Sequence, residues 1–272
     1  KNIDSHQLPA ILVTWLRESV VQSKGFVKGR PSALHVLDYG LFKVHANGRV
    51  IGICGFVIRT DQDETILIDT GFPTKYAHDT DAATQEDRLY EFGEVLECTP
   101  ENLPVAQLAR LGLTPDDIDL HIVTHTHIDH IGGLADFPKA PILISSVERA
   151  LPRPLYWGNI QPMDWPEQPM MEVESDTQLG PDLQVLTAPG HAPGQLAIWL
   201  RLPETGPVLL TSDAISRPAE IDEKFAGSWN EDLACASAER LMNLAKDTDA
   251  FVIYGHSPEQ WPKLRKAPLG YS

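Results

Sequence analysis

The run Thr124-His125-Thr126-His127-Ile128-Asp129-His130-Ile131-Gly132-Gly133 places three imidazoles and a carboxylate within six residues, directly after an apolar segment. Imidazole nitrogen and carboxylate oxygen are the donors that borderline divalent ions such as zinc prefer. In an extended stretch alternate residues share a face, so His125 and His127 can grip one ion while the chain curls to bring Asp129 and His130 towards a second. Gly132 and Gly133 are expected to let the backbone turn sharply behind them. A solvated pair of histidines would end there. Here the chain goes on to His191 in Ala188-Pro189-Gly190-His191-Ala192-Pro193-Gly194, Asp213 in Thr211-Ser212-Asp213-Ala214, and His256 in Tyr254-Gly255-His256. Each follows a short apolar segment that reads as a strand, at 183–186, 208–210 and 251–253. Ligands at strand ends, converging on one edge of a layered domain, build a buried binuclear site.

We assign His125, His127 and His191 to one divalent cation, Asp129, His130 and His256 to the other, and Asp213 to the bridge between them, with zinc as the preferred ion. Such a centre is net positive and open to a bridging water, whose pKa zinc lowers to about 7. The same ions polarise a carbonyl or phosphoryl oxygen and stabilise the oxyanion that forms. Hydrolysis is the natural reaction, with Asp213 and Asp129 as the catalytic carboxylates. At the bridge, Asp213 is placed to pass a proton from attacking water to the leaving oxygen. Asp69, after its own strand and before Gly71, is expected either to orient a ligand histidine or simply to form the turn. His6, His35, His45, His78 and His121 lack this motif context and read as surface or packed histidines.

These residues need a framework that holds strand ends together. Three strands are expected at 34–44, 50–58 and 65–68, the first two joined at Asn47-Gly48, a strong hairpin signal. An acidic, weakly patterned loop to about Pro100 follows, holding Asp79, Asp81, Glu86, Asp87, Glu91, Glu94 and Glu97 as a solvated face. A short helix at 103–111 and a strand at 117–124 then deliver the histidine run. Residues 138–170 carry seven prolines and little periodicity, a composition that resists regular structure. Because this stretch links two ligand-bearing segments, its Tyr156, Trp157 and Trp165 are expected to line a substrate pocket. A helix at 231–245 precedes the His256 strand. Before all this, apolar residues at 8–22 recur at helical spacing, with Pro9 in the first turn and Gly25 past the end, so we expect an N-terminal helical extension over 1–30 and a catalytic domain over 31–272.

At 272 residues the chain is long enough for one large layered α/β domain. Its net charge of -16 disfavours nucleic acid or an anionic membrane as a partner, since both call for a basic face, and reads as a solubilising surface; the partner expected from the hydrolytic site is a small-molecule substrate. Cys54, Cys98 and Cys235 are too few and too widely spaced for a disulfide framework and read as buried thiols. No segment reaches the apolar length of a membrane span. The cytoplasm is the default expectation, and the periplasm or secretion the alternative if a leader preceded Lys1.

Over roughly residues 34–265 the chain resembles the metallo-β-lactamase superfamily of hydrolases, carrying Asp69-Thr70-Gly71, the His-x-His-x-Asp-His run, Pro189-Gly190-His191, Asp213 and His256 in that family's order. The resemblance implies an αββα sandwich, two packed mixed sheets flanked by helices, with the metals at one edge. Within that family it is most similar to the N-acyl homoserine lactonases, through Leu111-Gly112-Leu113-Thr114-Pro115-Asp116-Asp117, Phe225-Ala226-Gly227, and Tyr254-Gly255-His256 followed by Glu259-Gln260. What this likeness implies is a lactonase in which a metal hydroxide attacks the ester carbonyl of a small lactone ring, and a homodimer. One departure stands out: many such lactonases have a tyrosine three residues after the bridging aspartate, and here that position is Ser216. Alternatives on the same ligand set are hydrolysis of other esters, thioesters or phosphotriesters, and more remotely a diiron redox protein or a non-catalytic metal binder. A glutathione thioesterase would bring a basic C-terminal region and a nuclease a positive path. A diiron site would carry glutamate in place of His127.

Overall fold

Apolar residues alternate along the longer strands, and the computed structural model, which describes residues 26–272, shows what the alternation serves. The first sheet has seven strands: β1 (Pro31–Val44), β2 (Val50–Thr60), β3 (Thr65–Ile68), β4 (Gly93–Glu97), β5 (Leu120–Ile122), β6 (Ile142–Ser145) and β7 (Met170–Val173), in the order β4-β1-β2-β3-β5-β6-β7. The second has five: β8 (Thr177–Gly180), β9 (Leu183–Thr187), β10 (Leu196–Leu202), β11 (Gly206–Leu210) and β12 (Phe251–Ile253), in the order β12-β11-β10-β9-β8. Both sheets are mixed. β1, β2 and β3 pair antiparallel while β3, β5, β6 and β7 run parallel; in the second sheet only β11 and β12 are parallel.

Because successive side chains leave a strand on opposite faces, each strand feeds two layers. Phe56 and Ile58 of β2 meet Ile198 and Leu200 of β10 and Val208 and Leu210 of β11 between the sheets. Val57 and Leu67 point the other way, into a core with Leu108 of the helix α2 (Pro104–Ala109) and Phe137. Beyond the second sheet, Ala197 and Leu209 pack on Ala234, Ala238 and Leu241 of the long helix α5 (Glu231–Thr248). Each such fully buried Leu or Ile contributes roughly 1.5–3 kcal/mol relative to exposure. The result is the expected αββα sandwich.

Several local expectations need correcting. The stretch 72–100 is not a plain loop: it holds the helix α1 (Thr80–Glu86), capped by the Asp79 side chain on the Ala82 N–H, and the strand β4. β4 is an edge strand with only Gly93 and Val95 buried, so its two glutamates are tolerated and hide its periodicity. Nor is its acidity all solvated, since Asp87 is fully buried against Lys75 Nζ (2.8 Å) and the Tyr76 hydroxyl (3.0 Å). The Pro-rich stretch contains β6 and the helix α4 (Ser146–Arg149), each four residues long and too short to show a period. The strand expected at 117–124 is only β5. Val123 still donates its N–H to the Leu143 carbonyl of β6, but residues 124–127, which include the first two histidines, lie beyond the strand. The amphipathic helix expected at 8–22, most of the extension expected at 1–30, and His6 lie outside the described residues. Where description begins, buried Val27 donates its N–H to the Leu179 carbonyl on β8. Among the described residues, no helix is long and apolar enough to cross a membrane.

Candidate metal centre

Five chain segments end at one edge of the sandwich. β5 leads to His125 and His127, the short helix α3 (Ile128–Ile131) carries Asp129 and His130, and the turns after β9, β11 and β12 bring His191, Asp213 and His256. The donor atoms of His125, His127 and His191 lie within 4.8 Å of one another, as do those of Asp129, His130 and His256 and those of His125, His130 and Asp213. Asp213 stands between the two triads: Oδ2 is 3.4 Å from His191 Nε2, while Oδ1 is 3.1 Å from His256 Nε2 and 3.5 Å from His130 Nε2. Asp129 Oδ2 is 3.4 Å from His256 Nε2. The structure thus brings together all seven side chains singled out in the sequence.

Local structure explains the approach. Gly132 and Gly133 do not supply a left-handed turn, since Gly132 is helical (φ -59°) and Gly133 has φ -98°. Gly132 is needed for space, because a Cβ there would sit 2.0 Å from the Phe72 carbonyl carbon. Gly255 has the same role beside His256, where a Cβ would lie 2.7 Å from Asp213 Oδ1. Asp69 does both things expected of it. Its φ of 55° makes the turn. Its carboxylate accepts from His130 Nδ1 (2.8 Å), from the Thr124 N–H (2.9 Å) and from the Thr124 hydroxyl (2.7 Å). With Nδ1 engaged, His130 presents Nε2 to the centre, and His256 is turned likewise by its Nδ1 donating to the Gly52 carbonyl at 2.9 Å.

One supporting residue escaped the sequence reading. Glu148, buried at the end of α4, accepts from the Thr126 N–H (3.2 Å) and hydroxyl (2.7 Å) through one oxygen and from the Gly194 N–H (2.9 Å) through the other. It ties the His125–His127 stretch to the loop that bears His191. A lone glutamate in a short segment gives no sequence signal of such a role.

Burial and charge divide the two triads. Burial, reinforced by His130 and His127, holds the His125 pKa well below its ordinary value, and burial with His191 pushes His127 down to about 4. Burial lowers His191 as well. At His130 burial also opposes charge, but Asp129, Asp213 and Asp69 outweigh it and raise the pKa to about 10; Asp213 and Asp129 raise His256 to about 9. Asp213, despite its burial, is held well below the usual carboxylate range by His256, His130 and His191. The first triad therefore offers three neutral imidazoles, whereas the second carries protons that a cation would displace.

Among the described residues, His125 Nε2, His130 Nε2, His256 Nε2 and Asp213 Oδ1 are all buried without a well-formed hydrogen bond, the 3.1 Å approach of the last two included. Orphaned polar atoms of this kind are costly, and four of them gathered in one place fit a centre built for cations. The clusters fit a binuclear metal site. The other histidines among the described residues take no part in it. His121 is packed beside Phe137, His35 Nδ1 meets the Leu269 carbonyl, and His45 and His78 are exposed.

A cavity of about 350 Å³ opens onto the cluster, with His127, Asp129, His191, Asp213 and His256 in its lining. Ser216 also lines it. Tyr156, Trp157 and Trp165 do not: Tyr156 is buried, the Trp157 indole donates to the Asp87 carbonyl (3.2 Å), and that of Trp165 to the Leu151 carbonyl (2.8 Å). The apolar wall comes instead from the hairpin and the acidic stretch, through Phe42, Val44, Ile51, Phe72, Leu89 and Phe92. Strand parity in the hairpin was a usable signal for the first three.

The family model of the metallo-beta-lactamase superfamily matches residues 52–256, a span that holds all seven clustered side chains. The chain belongs to the metallo-β-lactamase superfamily. It is a hydrolase of that fold, similar to N-acyl homoserine lactonases. With the N-acyl homoserine lactonase of Bacillus thuringiensis it shares 31% identity over 222 residues, 78% of this chain and 84% of that one. With the N-acyl homoserine lactonase AttM of Azorhizobium caulinodans it shares 33% over 182 residues, 61% and 68% of the two chains. Another metallo-β-lactamase-fold structure, an N-acyl homoserine lactone hydrolase with the product N-hexanoyl-L-homoserine bound at its catalytic metal center, superposes with a TM-score of 0.74 at 26% identity over 89% of this chain and 100% of that one.

Proposed function

We propose that the seven clustered side chains hold two divalent cations, His125, His127 and His191 around one, Asp129, His130 and His256 around the other, and Asp213 between them, and that the hydrolase opens lactones of the N-acyl homoserine lactone kind. Zinc suits this donor set of imidazole nitrogen and carboxylate oxygen. Bound there, the cations supply polarisation of the ester carbonyl and lower the pKa of water towards neutrality.

The chain's own groups do the rest. Asp69 and the Gly52 carbonyl keep His130 and His256 turned inward. Asp213 carries the proton released by the attacking water to the ring oxygen as the carbonyl–oxygen bond breaks, so that the product bears a free carboxylate and a hydroxyl. Asp129, 18% exposed in its side chain against 7% for Asp213, is the second carboxylate able to hold that proton. Phe42, Phe72 and Leu89 offer the acyl chain an apolar berth and keep bulk water from the carbonyl. Ser216 lines the same space with only a short hydroxyl. The observation that carries the reading is the position of Asp213, with one oxygen towards each triad. The likeness to the N-acyl homoserine lactonases supports the choice of substrate.

A zinc-reconstituted sample tested against acyl homoserine lactones, thioesters, phosphodiesters, phosphotriesters and β-lactams should open the lactones and leave the others. Hydrolysis of another class with the lactones untouched would overturn the substrate assignment. Asp213→Asn should lower kcat by roughly 10²–10⁴-fold with an unchanged circular dichroism spectrum, and normal turnover in that variant would remove the proton carrier.

A further inference from the structure

The cavity contains positive charge that ester hydrolysis does not use. Arg49, one residue before β2, is part of its lining, and its guanidinium Nε and Nη1 are buried without an acceptor among the described residues. Arg217 lines the same cavity. Its Nη2 meets Glu223, yet its Nε too is buried without an acceptor among the described residues. The cavity's own carboxylates are engaged elsewhere: Asp129 and Asp213 face the histidines, and Glu220 Oε2 accepts the Ser216 N–H at 2.7 Å. Most of the remaining wall is hydrocarbon.

A desolvated guanidinium with unused N–H groups is costly unless something answers its charge. A carboxylate is the matched answer, because its two oxygens meet the planar fork in parallel hydrogen bonds that a neutral carbonyl cannot reproduce. At about 350 Å³ the cavity is large enough for a small molecule with an extended middle.

We infer that this hydrolase takes substrates with two polar ends, the scissile acyl group at the metal centre and a carboxylate, at the end of an apolar spacer, bound by Arg49. The placement of the first end rests on the function proposed above, whereas the Arg49 site does not depend on which acyl bond is cleaved.

Calorimetric titration of the zinc-loaded protein with octanoate and with suberate, its dicarboxylate counterpart of equal length, separates the two. Suberate should bind about tenfold tighter or better, the strength of a charge-assisted hydrogen-bonded pair, and Arg49→Gln should erase the difference while leaving octanoate unchanged. Equal affinities in the wild type, failure of suberate to bind, or a preference that survives Arg49→Gln would overturn the inference. The corresponding lactones, octanoyl- and 7-carboxyheptanoyl-homoserine lactone, should show the same preference in kcat/KM and lose it in the variant. If neither lactone is opened while suberate binding still depends on Arg49, the lactone reading falls and the carboxylate site stands.

Discussion

The cage of donor side chains and the wall of the cavity above it are built on different rules. Around the cage the supporting groups are tightly tied: Asp69 and Glu148 between them accept six hydrogen bonds from the segments that bear the donors. The wall has no comparable net. Phe92, one of its members, is 53% exposed, and the residues around it come from the β1–β2 hairpin, a loop and short helical turns. Coordination demands distances held to a fraction of an ångström, so the cage must be over-determined. An apolar wall has only to supply shape and hydrocarbon, and loose ties suffice for that.

If the cage is as tightly specified as this contrast holds, removing a supporting atom should cost more than removing a wall residue. Asp69→Ala takes away the acceptor that orients His130, and metal content after dialysis against a graded chelator should reveal roughly 10–100-fold weaker retention. Retention equal to wild type would mean that His130 is held by packing alone. Glu148→Gln comes next. Its amide nitrogen must face one of the present N–H or O–H donors, so urea denaturation should report a loss of roughly 1.5–3 kcal/mol. A loss confined to stability, with metal content intact, would separate its scaffolding from any part in placing His191.

The wall should respond more gently and in a different variable. Phe92→Ala should weaken long-chain acyl substrates relative to short ones by about fivefold in KM, which corresponds to about 1 kcal/mol of lost apolar contact. Trp157→Phe should leave that chain-length dependence untouched and cost about 1 kcal/mol of stability through its lost hydrogen bond to Asp87. A chain-length effect at Trp157 would restore the Pro-rich stretch as pocket lining and undo the contrast.

The same division decides what could be read from the chain. Donors announce themselves by type: a histidine or aspartate directly after an apolar run has few other reasons to recur, and His125, His127, Asp129, His130, His191, Asp213 and His256 all stood out. The long strands β1 and β2 were visible through their alternation and the Asn47-Gly48 turn. Elements of three or four residues such as β6 and α4 were not, because so short a segment contains no full period. Glu148 was invisible for a related reason, since its partners lie 22 and 46 positions away and nothing local marks them. The pocket was misplaced because proximity was judged along the chain. Trp157 and Trp165 lie on the stretch that links two donor-bearing segments yet turn into the core, while Phe42 and Phe92, which precede every donor in sequence, line the cavity.

Each triad draws two members from the chain that follows β5 of the larger sheet and one from a turn after a strand of the smaller: His125 and His127 with His191, Asp129 and His130 with His256. A slip of one sheet across the other would pull both triads apart together. The hydrocarbon sealed between the layers, Phe56 and Ile58 against Ile198 and Leu200, therefore acts as the gauge block that sets the spacing of the chemistry, though none of these side chains is among the donors.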